Sequence, residues 1–68
     1  MHRIPVESSN IATVGFANRV LEIEFKHGGV YQYFDVPETV FLDLIKADSK
    51  GTYHNKYIKG HYQYTKIL

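Results

Sequence analysis

No cysteine occurs in this chain of only 68 residues, so neither a disulfide framework nor a thiolate zinc site can hold it together. A domain this small buries a modest share of its surface and is marginal without a staple. Tryptophan is also absent, and a single Met leaves the aromatic rings of six Tyr and four Phe as the bulk of the large apolar material. The balance of apolar and charged residues is that of a folded domain and not of a disordered chain. One compact unit covering 1–68 is therefore expected. No apolar run is long enough to cross a membrane. The segment MHRIPVESSN lacks the apolar core of a signal peptide, so a cytoplasmic location and no membrane partner are the expectation.

Net charge is +1, yet its distribution is uneven. Residues 1–45 carry three basic and six acidic side chains, whereas 46–68 carry five basic and one acidic, and no acid follows Asp48. With no repeat or low-complexity tract, this polarity belongs to one folded unit.

The clearest strand is Val20 to Lys26, where Leu21, Ile23 and Phe25 alternate with Glu22 and Glu24. The two glutamates are expected on a wet face. Ile11 to Phe16 is β-rich and is joined to that strand by the turn Ala17-Asn18-Arg19; Val30 to Phe34 follows across Lys26-His27-Gly28-Gly29. Two registers are open for this second hairpin. A two-residue turn puts Val30, Gln32 and Phe34 on the face of Leu21 and Ile23. A three-residue loop closed by Gly28 puts Tyr31 and Tyr33 there instead, turns Gln32 outward, and is favoured.

Pro37 suits the first helical position, Glu38 complements the helix dipole, and Val40, Phe41, Leu44 and Ile45 form one apolar stripe. A shorter helix is expected from Thr52 as N-cap through Ile58, ended by Gly60, and then a strand within His61 to Leu68. Ser49 is read as a helix-end serine and Gly51 as a left-handed chain reversal. The expected fold class is α+β, with three to four antiparallel strands packed on one main and one short helix.

The string Leu21-x-Ile23-x-Phe25-x-x-Gly28-x-x-Tyr31-x-Tyr33-x-x-Val36-Pro37, then Ala47-x-Ser49-x-Gly51-x-Tyr53-x-Asn55-x-x-Ile58-Lys59 and Tyr62-x-Tyr64, closely resembles the KTSC domain. Val6, Ser8, Ser9 and Ile11 upstream also fit. That family occurs at the C terminus of some lysyl-tRNA synthetases and as a separate bacterial or phage protein. The resemblance implies contact with RNA by analogy, and no catalytic residue.

Lys50, Lys56, Lys59 and Lys66 interleave with Tyr53, Tyr57, Tyr62 and Tyr64. Lysines neutralise phosphates and aromatic rings stack on splayed bases, the pairing that single-stranded nucleic acid binding uses. On a short helix, Lys56 and Lys59 would share a face. These eight residues are the candidate nucleic-acid surface, for RNA that is tRNA-like or single-stranded. Solvated lysines around structural tyrosines are the plainer alternative. So is an adaptor that docks another protein, or itself, through an exposed strand edge. His54 and His61, with His2 or His27 and Asp48, do not have the spacing of a metal site, and no cofactor is expected. Ser8, Ser9 or Ser49 with a histidine and Asp35 or Asp48 lack a nucleophile elbow, and Gly28-Gly29 reads as a hairpin turn, so a non-catalytic protein is expected.

Overall fold

A computed structural model describes all residues, 1–68. Five strands form one antiparallel sheet in sequential order: β1 (Ile4–Pro5), β2 (Ile11–Ala17), β3 (Val20–Phe25), β4 (Val30–Tyr33) and β5 (Tyr64–Lys66). Helix α1 (Glu38–Lys46) and a short α2 (Lys50–Tyr53), which widens into a π-helical turn at His54–Ile58, lie between β4 and β5. The α+β class holds. The sheet has one strand more than three to four, because β1 is a two-residue edge strand containing Pro5, too short to show a period.

The turns set the register. Asn18 and Arg19 both have positive φ (50° and 63°), so β2 and β3 are joined by a two-residue turn whose twist suits a hairpin. Between β3 and β4 the Phe25 N–H donates to Gly29 C=O (3.0 Å) and the Gly28 N–H to Phe25 C=O (3.0 Å). That is the three-residue loop, with Gly28 at φ 103°. Leu21 consequently faces Tyr33 and Ile23 faces Tyr31, so both tyrosines share the core side of the sheet.

On that side Ile11, Val14, Leu21, Ile23, Tyr33, Val36, Leu44 and Ile58 form one buried cluster. Complete burial of each Ile or Leu contributes about 1.5–3 kcal/mol, and this cluster takes the place of the absent disulfide. The α1 stripe packs as expected: Leu44 is fully buried, and Phe41 stacks on Phe16 with ring centroids 5.4 Å apart. Pro37 sits one position earlier than expected, as the extended residue preceding α1 (φ −65°, ψ 145°).

The opposite face corrects the expectation of a wet surface. Glu22 is 4% exposed. Its carboxylate accepts from the Arg3 guanidinium and from Gln32 Nε2 (2.8 Å), because the N-terminal segment folds across that face; Thr13 Oγ1 donates to Glu24 beside it (3.0 Å). A buried carboxylate needs such partners to stay ionised. Their hydrogen bonds, Gln32 foremost, outweigh burial and hold the Glu22 pKa below its ordinary value.

Candidate binding cleft

Local chemistry places the second helix over the sheet. Ser49, not Thr52, is the N-cap of α2: its Oγ accepts from the Thr52 N–H (3.3 Å) while its hydroxyl donates to Thr52 Oγ1 (2.8 Å). Gly51 is helical and does not reverse the chain. A Cβ there would lie 2.7 Å from Asn10 Nδ2, the far end of a side chain that can move aside. The following π-helical turn closes with the Lys59 N–H donating to His54 C=O (2.8 Å), and His54 and Ile58 both point into the protein. Backbone reversal comes later, at Gly60 (φ 82°), which returns the chain to β5.

Between this turn, the β3–β4 hairpin and β5 lies a cleft of about 530 Å³. That size falls within the ~300–1,000 Å³ range of small-molecule sites. Its aromatic wall is Phe25, Tyr31, Tyr33 and Tyr64, drawn from three adjacent strands by the register above. Tyr64 stands 5.9 Å from both Tyr31 and Tyr33, centroid to centroid, and is 61% exposed. Asn10, Asn55, His27 and Lys59 supply the polar rim. No carboxylate lines the cleft, in a chain with seven Asp and Glu.

At its base the Tyr33 hydroxyl and His54 Nε2 share a hydrogen bond of 2.8 Å, with Tyr33 5% and His54 7% exposed. Phe25 meets the imidazole edge to face at 5.1 Å. Burial pushes the His54 pKa down; the adjacent Asn55 side chain pulls it back, and the charge of Lys59 lowers it further. Burial also pushes the Tyr33 phenol up to about 12, with Tyr31 and Tyr64 adding to the rise. At neutral pH the base of the cleft is thus uncharged, and Lys59 is the one lysine or arginine in its lining.

Of the eight sequence candidates, only Lys59 and Tyr64 line this cleft. Tyr53 and Tyr62 are half-buried against the core. Tyr57 is exposed, lies against Tyr53 with rings tilted 40° and centroids 4.8 Å apart, and carries Lys56 Nζ over its ring at 5.4 Å. Lys50 Nζ donates to Ala47 C=O (3.0 Å), closing off the end of α1. Lys66 pairs with Tyr31 across β4 and β5, its stem running beside Gly29. Lys56 and Lys59 do not share a helical face, because Lys59 lies past the turn with extended backbone (φ −63°, ψ 123°). The sequence does not point to Phe25, Tyr31, Tyr33 or Asn10 as site residues, whereas His54 and Asn55 fall within the Lys50 to Lys66 stretch. The period-2 placement of the two tyrosines was the available signal, and only the fold shows that the face they occupy is partly open.

Two of the serines considered for chemistry have structural roles: Ser8 Oγ accepts from the N–H groups of Asn10 (3.2 Å) and Ile11 (3.1 Å), and Ser49 is the cap described above. No three His, Asp or Glu side chains converge as metal ligands. No helix is long and apolar enough to cross a membrane.

A five-stranded antiparallel meander, backed by one helix and a short capped helical turn around an aromatic cleft, defines a small single-sheet α+β domain. Within that class the chain belongs to the KTSC domain family, whose model matches residues 7–62. A crystal structure of a KTSC domain protein from Yersinia pestis superposes with a TM-score of 0.95 at 42% identity, covering 98% of this chain and 97% of that one. The chain is 37% identical over 70 residues to an uncharacterized protein of Stutzerimonas stutzeri, spanning 98% of this chain and 99% of its relative. It is also 47% identical over 49 residues to a lysine–tRNA ligase of Nostoc punctiforme; the match takes in 72% of this chain but 9% of the ligase.

Proposed function

We propose that this protein is a non-catalytic module that binds unpaired RNA, with the aromatic cleft at the centre of a surface formed by its basic C-terminal third. The observation that carries the reading is the cleft lining: four aromatic rings, one lysine and no carboxylate. Rings on neighbouring strands of an antiparallel sheet are a platform for splayed bases, and a carboxylate-free rim does not repel phosphates. Glu22 and Glu24, which would repel them, lie on the other face of the sheet. The relationship to a segment of a lysine–tRNA ligase supports RNA as the partner class. It does not carry the ligase's activity to this chain.

The test is titration of the labelled protein with tRNA and with a pool of single-stranded RNA at two salt concentrations, following backbone amides. Shifts at the cleft residues of β3 and β4 and at Lys50 to Lys66 that weaken with salt are the expected result. Absence of shifts at low salt refutes the reading. Salt-insensitive self-association, lost when exposed Tyr57 or Tyr64 is replaced, would assign the surface to protein docking instead.

A further inference from the structure

We infer that the cleft is a receptor for a single unpaired nucleotide, taking the base against Tyr64 and Tyr31 and its phosphate at Lys59. The inference rests on the RNA reading and narrows it from a surface to one subsite. The lining specifies a flat, apolar ligand body with hydrogen-bonding edges and one negative charge. The rings of Phe25, Tyr31, Tyr33 and Tyr64 supply the flat apolar wall, and the carboxamides of Asn10 and Asn55 supply both donors and acceptors for a base edge. Lys59 is the only lysine or arginine in the lining. A peptide side chain does not combine these three properties, whereas a nucleotide does.

The dispersal of the lysines sharpens the argument. Lys50 is engaged with Ala47 C=O, Lys56 lies over Tyr57, and Lys66, on the same side of β5 as Tyr64, runs beside Gly29 in the hairpin that borders the cleft. None of the three is part of the cleft lining. For single strands the logarithm of affinity falls with the logarithm of salt with a slope of about −0.7 per phosphate neutralised. One phosphate at Lys59 therefore gives a slope of about −0.7, or about a 2.6-fold loss when salt rises fourfold. Four lysines acting together would give about −2.8, or about a 50-fold loss.

The experiment titrates the intact protein with a ten-nucleotide single-stranded RNA, 5′-AMP and ribose 5-phosphate, reading the ring resonances of Tyr31, Tyr64 and His54 across a salt series. Expected are shifts of these rings with the RNA and with AMP but not with ribose 5-phosphate, and an RNA slope near −0.7. Tyr64→Ala should weaken RNA binding about 5- to 150-fold, the worth of one stacked base, while Tyr64→Phe retains it. RNA binding with a slope near −2.8, and shifts at Lys50, Lys56 and Tyr57 with silent cleft rings, overturns the inference and leaves the RNA reading standing. Equal responses to AMP and ribose 5-phosphate overturn it also. AMP bound in the cleft without RNA binding refutes the RNA reading alone, and no response to either removes both.

Discussion

Tyr33→Phe isolates the bond at the base of the cleft. The substitution keeps the ring, its edge-to-face contact with His54 at 5.7 Å and its contact with Tyr64, and removes only the hydroxyl bonded to His54 Nε2. With His54 7% exposed, that nitrogen is left in the interior without a partner. A buried polar group stranded in this way costs about 1–3 kcal/mol. Because a core of this size supplies only ~3–5 kcal/mol in total, the loss is a large part of the stability. At about 2 kcal/mol, Tm falls by ~8–16 °C for a domain this short. Replacing both partners leaves nothing unpaired, so Tyr33→Phe with His54→Leu should recover most of what Tyr33→Phe loses. Urea unfolding at pH 7.5, followed by far-ultraviolet circular dichroism, gives the three free energies. A Tyr33→Phe protein within ~0.5 kcal/mol of the parent, or a double variant no more stable than the single, refutes the reasoning that the pair is closed to water.

Three further outcomes follow from the same geometry. Since burial depresses the His54 pKa, the unfolded chain takes up the proton first; stability is full above pH ~6.5 and falls, by at most about 1.4 kcal/mol per pH unit, toward the folded pKa, a slope that His54→Leu should abolish in denaturation curves at pH 7.5, 6 and 5. Gly15→Ala sets a Cβ 2.6 Å from the His2 carbonyl, a backbone atom, so it should cost ~1–3 kcal/mol and speed amide exchange of Ile4 by displacing β1. Gly51→Ala meets only the tip of the Asn10 side chain, so a gain of about 0.5–1 kcal/mol from helix propensity is expected, with a shift of the Asn10 carboxamide resonances as that group leaves the cleft.

The ion pair at Glu22 shows why one face of the sheet was misread and the other was not. Alternation along Val20 to Phe25 names two faces and puts the glutamates opposite Leu21 and Ile23, which is correct. It does not say whether a further segment covers the polar face. Arg3 and Gln32 reach Glu22 from two other parts of the chain, and β1 is too short to announce itself. The lysines give a parallel lesson. Their clustering in sequence suggested a common surface, but the widened turn at His54–Ile58 and the bend at Gly60 send Lys56, Lys59 and Lys66 to different places.

What the sequence determined by itself were the local choices. The Gly28 loop chose the register that puts Tyr31 and Tyr33 beside Leu21 and Ile23, the Val40 to Ile45 stripe chose the buried side of α1, and the order of motifs carried the family. These are short-range preferences of dihedral angle and periodicity, readable along a few residues. Tertiary structure decided which of these residues meet. The cleft joins Asn10, Phe25, Tyr33, His54, Lys59 and Tyr64 across more than fifty positions, and burial at its base lowers the His54 pKa and raises that of Tyr33, reinforcing the neutral form of each. Convergence and desolvation are properties of the packed chain, so the basic aromatic third was visible in the sequence while the half of its site contributed by β3 and β4 was not.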